Sequence, residues 1–316
     1  MMLVIGVLLV LTLCCVQPTL SSWGDKMYRF QDCLTECSAL CYKKGYPKDL
    51  PLTLRVFGWA CGDECKYQCM HEVTEYDVQH SRPIKQFYGK WPFVRLFGIQ
   101  EPASAIFSLL NGVGHLIGWR RYRNSVPPHH KMYNLWRSYM LVNINAWLWS
   151  TVFHSRDISW TEKLDYFSAT SLVLCSIFCF FVRVAGPEKR LVCGCFGAVL
   201  LILFCCHMFY LGMVKMDYSY NIAANVAIGI INMTGWILWC AKNLRQQPYL
   251  WKCIVISASL FFLVGLEVFD FPPLWWIFDA HSLWHLSTIP FCYFWYSFLI
   301  DDCRYQMEED KRPKEA

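Results

Sequence analysis

The sequence predicts an all-α membrane protein: a seven-transmembrane-helix bundle with a small disulfide-stapled luminal N-terminal helical segment. Three observations predict it. Apolar residues, 55% of the 316, gather into blocks of about twenty, the length that crosses about 30 Å of hydrocarbon. Basic residues crowd into alternate loops between those blocks. Six cysteines in two evenly spaced triplets follow an apolar leader. Fifteen tryptophans and seventeen tyrosines suit aromatic belts at the two membrane surfaces, and mean hydropathy is positive. The net charge of +5 lies mostly in short loops, so it bears on orientation. It forms no aromatic-interleaved basic surface, which excludes nucleic acid as a partner.

Residues 1–22 read as a secretory signal peptide. An uncharged apolar run at 3–16 precedes the small-residue site Thr19-Leu20-Ser21, with cleavage expected near Ser21 or Ser22. An uncleaved signal anchor is the alternative, and either one delivers the next segment to the lumen. Residues 23–100 form that luminal segment, polar throughout, with Cys33-x3-Cys37-x3-Cys41 and Cys61-x3-Cys65-x3-Cys69. A spacing of four keeps each triplet on one helical stripe. Two antiparallel helices stapled face to face would pair Cys33 with Cys69, Cys37 with Cys65 and Cys41 with Cys61, one of fifteen possible connectivities. Zinc is disfavoured at these cysteines, because zinc knuckles use C-x2-C and the compartment is oxidising.

Seven spans are expected within 101–300, at 103–119, 133–153, 164–182, 191–211, 221–241, 251–269 and 280–299, followed by a cytosolic tail, 301–316. Arg120, Arg121, Arg123, Lys131, Arg183, Lys189, Arg190, Lys242, Arg245, Lys252, Arg304, Lys311, Arg312 and Lys314 fall on one side. Only Arg156, Lys163 and Lys215 fall on the other. The positive-inside rule then makes the tail cytosolic and the N-terminal segment luminal.

The chemistry lies in five residues. Ser150-x3-His154 ends the second span, Asp165 begins the third across a ten-residue loop, and His281-x3-His285 opens the seventh. Each spacing of four puts its members on one helix face, and the topology brings all five to similar depth in the luminal leaflet. Three imidazoles with an open fourth position are the usual ligand set of a catalytic zinc ion. Asp165 then serves as general base to a zinc-activated water, or as a fourth ligand. Ser150 is placed to donate to a developing oxyanion, with a helix-packing serine as the plainer alternative. His115 and His207 read as hydrogen-bonded residues without a catalytic role. Such a set in the outer half of a bilayer suits hydrolysis of a lipid ester or amide.

These residues on seven spans resemble the CREST superfamily of membrane hydrolases, which includes alkaline ceramidases and adiponectin receptors. The likeness narrows to its GPI-remodelling lipase family. It does so through Gly89-Lys90-Trp91-Pro92-Phe93, Glu101-Pro102-Ala103-Ser104, the run from Asn145 to His154, Asp270-Phe271-Pro272-Pro273 and Asp279-Ala280-His281. The resemblance implies a Golgi enzyme that removes the sn-2 acyl chain of GPI-anchored proteins, a phospholipase A2-type step. Its zinc ligands map onto His154, His281 and His285, with Asp165 and Ser150 in support. GPI-anchored proteins, their lipid and the bilayer are the implied partners. Related ceramidases also carry a calcium site near the first span, which makes Glu101 a possible calcium ligand; a cap at the start of that span is the better reading. Asn232-Met233-Thr234 matches a glycosylation sequon inside the fifth span, where it is not expected to be used. A ceramidase-like lipid amidase and a non-catalytic seven-span receptor or trafficking factor are the competing functions.

Overall fold

The computed structural model describes residues 23–43 and 50–311, so the expected signal peptide, Arg312 and Lys314 lie outside the described residues. The fold is helical throughout, and among the described residues only three isolated backbone pairings have β character.

The N-terminal unit is a pair of helices, α1 (Tyr28–Lys43) and α3 (Cys61–Gln79), with the short α2 (Leu52–Val56) between them. Three disulfides join α1 to α3 in antiparallel order: Cys33–Cys69, Cys37–Cys65 and Cys41–Cys61, with Cα separations of 5.8, 5.6 and 6.1 Å. This is the face-to-face pairing that the four-residue spacing suggests. The apolar core beneath is small, built on Phe30, Cys69, Val73 and Phe87. A core of that size needs staples, each worth about 2–4 kcal/mol.

Two tight turns carry the chain from this unit to the bundle. Phe87 and Lys90 pair through both backbone hydrogen bonds, at 2.7 and 2.9 Å, and Leu96 and Ile99 repeat the arrangement nine residues on. Both central residues of each turn have positive φ: Tyr88 and Gly89, then Phe97 and Gly98. That is the type I′ geometry, which favours glycine at the second position and strains an aromatic at the first.

The bundle comprises α4 (Pro102–Ser125), α5 (Tyr133–Ser155), α6 (Ser159–Ala185), α7 (Arg190–Phe209, continued as a π-helical turn to Val214), α8 (Tyr218–Asn243), α9 (Trp251–Val268) and α10 (Ala280–Lys311). Packing runs in a closed ring from α4 to α5, α6, α8, α9, α10 and back to α4, and α7 leans on the outside of α6. The seam between α4 and α10 is tight because Gly114-x3-Gly118 lets the backbones approach; a Cβ on Gly118 would stand 2.1 Å from the Tyr296 ring. At one end of the ring Arg183 makes a bidentate pair with the fully buried Asp302 at 2.7 and 2.8 Å. Tyr249 and Gln306 satisfy the remaining lone pairs of that carboxylate.

Among the described residues, four stretches are long and apolar enough to cross a membrane: Ser159–Ala185, Arg190–Val214, Tyr218–Asn243 and Pro248–Leu266. The chain is accordingly a multi-pass membrane protein. The long helices α4, α5 and α10 fall short on composition and carry buried polar side chains: Ser104, Ser108, Asn111 and His115; Asn143, Ser150 and His154; and Ser282, His285 and Thr288.

Several boundaries differ from the expected ones. α4 runs on to Ser125, so Arg120, Arg121 and Arg123 are helical; long basic side chains prolong a helix past its apolar stretch. α6 starts at Ser159, which shrinks the expected ten-residue loop to residues 156–158. Thr161 causes this early start, its Oγ1 accepting from the Ile158 N–H at 3.0 Å and donating back to the Arg156 carbonyl. α10 continues through the expected boundary at 300 as far as Lys311.

Candidate metal centre

α5 delivers His154 in its last turn, and α10 delivers His281 and His285 in its first two. The start of α10 is fixed by Asp279 and Ser282, which cap each other. The Asp279 carboxylate accepts from the Ser282 N–H at 2.8 Å, and Ser282 Oγ accepts from the Asp279 N–H at 3.0 Å. Asn111 of α4 then ties this helix at the histidine level. Its Nδ2 donates to the His285 carbonyl at 2.8 Å, and its Oδ1 accepts from Thr288 at 3.1 Å. His154 and His285 are buried, and His281 is partly exposed.

The three Nε2 atoms form a small triangle. His154 stands 3.3 Å from both His281 and His285, and the latter two are 2.9 Å apart. Nitrogens at about 2.0–2.1 Å from a tetrahedral zinc ion lie about 3.3–3.4 Å from one another. The protonation pattern fits as well. His154 Nδ1 lies 2.7 Å from Glu101 Oε2, and a bond to a carboxylate requires an N–H there. A neutral imidazole has one N–H, so His154 Nε2 holds a lone pair aimed at the other two rings. The donor set therefore suits a cation.

Glu101 departs from both roles read from the sequence. It occupies the N-cap position of α4, yet its side chain makes no cap bond, and no calcium-type group of carboxylates surrounds it among the described residues. Its carboxylate instead bridges His154 and Lys90, a residue of the first I′ turn. Lys90 also reaches Asp157 at 3.0 Å and lies over the Phe153 ring. Burial alone would raise the Glu101 carboxyl, but Lys90 and then His154 outweigh it and hold it well below the usual carboxylate range. Burial would likewise lower the Lys90 ammonium, and Glu101 and Asp157 raise it above its ordinary value instead. The carboxylate is charged, its partner is charged, and the histidine tautomer is locked. Sequence reasoning missed this chain of contacts. Its one signal is the ionisable Glu101 at the edge of an apolar stretch, which burial obliges to find a partner.

The stapled unit is clamped over the same corner. Arg95 and Arg156 lie over the Trp59 ring at 4.0 and 3.7 Å, and Arg156 pairs with Asp63 of α3 at 2.8 Å. The backbone N–H groups of Gln100 and Glu101 donate to the Ser155 and His154 carbonyls, which satisfies the end of α5.

Asp165, one and a half turns into α6, lies near enough to His154 and His281 to interact with both electrostatically. Its carboxylate is not part of the three-histidine group, whose ligand atoms all lie within 4.8 Å of one another. Ser150 is buried one turn before His154, and its hydroxyl is 2.9 Å from that of Ser108 on α4. The two serines share a hydrogen bond across the helix seam, and Ser108 was not singled out from the sequence. His115 and His207 are both hydrogen-bonded, to Tyr296 and to Thr170, Asn221 and Tyr220 respectively. Asn232 is buried inside α8 and donates to Ser176.

A family model described as the Per1-like family matches residues 51–303. The chain belongs to the Per1-like family. Relatives named "GPI-specific phospholipase A2-like PGAP3" include that of Xenopus tropicalis, 44% identical over 93% of this chain and 95% of that protein. The Homo sapiens protein of the same name is 42% identical over 92% of each chain. "Protein PER1 homolog" of Schizosaccharomyces pombe is 38% identical over 91% of this chain and 89% of its own. PGAP3 stands for post-GPI attachment to proteins factor 3, the likeness that the sequence motifs indicate. No solved structure matches.

In this Per1-like chain the Glu101–His154 contact has a measurable consequence. Glu101→Gln keeps the shape but removes the charge that orients the histidine and holds Lys90. Affinity of the histidine group for a divalent cation, with added zinc as the probe titrated against a competing chelator, is expected to fall by about 10–100-fold. Unchanged affinity would show that the carboxylate does not tune the histidine.

Proposed function

We propose that this chain is a zinc-dependent, phospholipase A2-type hydrolase that cleaves the sn-2 acyl ester of GPI-anchored proteins in the Golgi lumen. The observation that carries the reading is the triangle of three Nε2 atoms, two of them on buried histidines, with His154 locked by a carboxylate. The substrate comes from the relatives, whose name refers to GPI and to phospholipase A2. All seven long helices span the bilayer in this reading, the apolar deficit of α4, α5 and α10 being offset by the polar contacts they make with each other. The disulfides support a luminal N-terminal unit, 23–100, and the basic residues a cytosolic C-terminus. The hydrolase domain is then 101–300, with 301–316 as tail.

Held by His154, His281 and His285, zinc would supply Lewis acidity, lowering the pKa of a water to about 7 and polarising the ester carbonyl. The rest is the work of side chains. Asp165, on α6, accepts a proton from the attacking water and returns it to the lysolipid oxygen as the ester C–O bond breaks. Ser150, steadied by Ser108, donates a hydrogen bond to the oxygen that gains charge. Glu101 and Lys90 keep His154 in the tautomer that leaves Nε2 free. Asn111 and the Asp279–Ser282 cap hold the other two histidines in register.

Metal removal tests this directly. Purified full-length chain, stripped with a chelator, is expected to lose sn-2 hydrolysis of a GPI lipid and regain it with zinc but not with magnesium, a metal that prefers oxygen ligands. Hydrolysis that survives complete stripping would overturn the proposal.

A further inference from the structure

The end of the bundle away from the histidines carries a second feature. A groove of about 340 Å³ opens there between α4 and α10, lined by Arg121, Ser125, Ser297, Asp301 and Arg304. Arg121 stands twenty residues beyond Glu101, about 30 Å along the helix axis, which is one hydrocarbon thickness from the metal centre. Its guanidinium lies 4.1 Å over the Tyr293 ring, and its Nη1 is buried with no acceptor among the described residues. A buried cationic donor without an acceptor is costly, and natural structures rarely leave one so. The acid of the groove does not serve it: Asp301 is held by Lys252 at 2.5 Å, and Lys252 also donates to Ser297. Arg121, Arg304 and Lys252 against one aspartate leave the groove positive. Alongside it, α4 exposes Leu109, Val113, Leu116 and Ile117 toward the histidine end.

A cationic groove with hydroxyls, next to an apolar stripe and one membrane thickness from the opposite surface, matches an anionic head on acyl chains. Arginine and hydroxyl donors suit phosphate oxygens, and basic pockets between spanning helices bind lipid headgroups in this way. We propose that this groove binds the phosphate headgroup of an anionic phospholipid in the leaflet opposite the histidine centre. The inference rests on the reading of α4 and α10 as membrane spans, and not on the hydrolytic reaction.

The full-length chain in phosphatidylcholine nanodiscs, with or without phosphatidylinositol 4-phosphate, provides the test. The anionic lipid is expected to raise Tm by about 3 °C, as occupancy of one site does in a chain of this order of length. Inorganic phosphate alone should produce no rise. Arg304→Glu, at an exposed position, should keep the wild-type Tm in phosphatidylcholine and lose the rise; Arg121→Gln should lose it too. His285→Ala should retain it, which separates this site from the hydrolytic one. No rise in the wild type, or an equal rise in Arg304→Glu, would overturn the proposal. A matching rise with inorganic phosphate would replace it with a simple anion site.

Discussion

In cells lacking the native protein, His285→Ala is expected to leave the unsaturated sn-2 chain in place on a GPI-anchored reporter. His285 supplies one corner of the nitrogen triangle, and two nitrogens do not hold zinc against cellular competition. The loss should exceed the roughly 10–100-fold that removal of a hydrogen-bonding neighbour costs. Zinc content of the purified variant should fall to a trace. Its fold should persist, because Asn111 grips the backbone carbonyl at position 285 and not the ring. Lipid analysis of the reporter and metal analysis of the protein are the measurements. Full remodelling by this variant would sink the zinc-hydrolase reading.

Asp165→Asn should separate proton transfer from metal binding. The amide keeps the shape and accepts no proton, so sn-2 hydrolysis is expected to drop by about 10²–10⁴-fold, the worth of a positioned general base. Zinc content should stay at the wild-type level, since the carboxylate lies outside the histidine group. A parallel loss of zinc would make Asp165 a ligand and return the base to another residue.

The helices and the histidines were legible because their signals are local. Apolar blocks marked all seven long helices, and a spacing of four placed His281 above His285. Charge asymmetry brought His154 and His281 to one level without any contact being known. Local signals also set the errors. Hydropathy registers only the apolar part of a helix, so it stopped short of Ser125 and Lys311. It also started α6 late, at 164 instead of Ser159, since the first turn there is polar. The bridge from Lys90 through Glu101 to His154 joins residues 11 and 53 apart, through a turn whose geometry no hydropathy pattern encodes. Gly89-Lys90-Trp91-Pro92-Phe93 could be read as a motif, but its role becomes visible only when the lysine is seen beside the carboxylate.

That lysine couples the histidine group to the disulfide-bonded unit. A carboxylate as buried as Glu101 stays charged only if its cation is in place, and the cation arrives on a turn whose neighbour Phe87 belongs to the core of the disulfide-bonded helix pair. The carboxylate that fixes the His154 tautomer therefore draws its counter-charge from a turn seated against the disulfide-bonded pair. By reciprocity, a cation held at the three histidines would favour the arrangement in which that turn is seated.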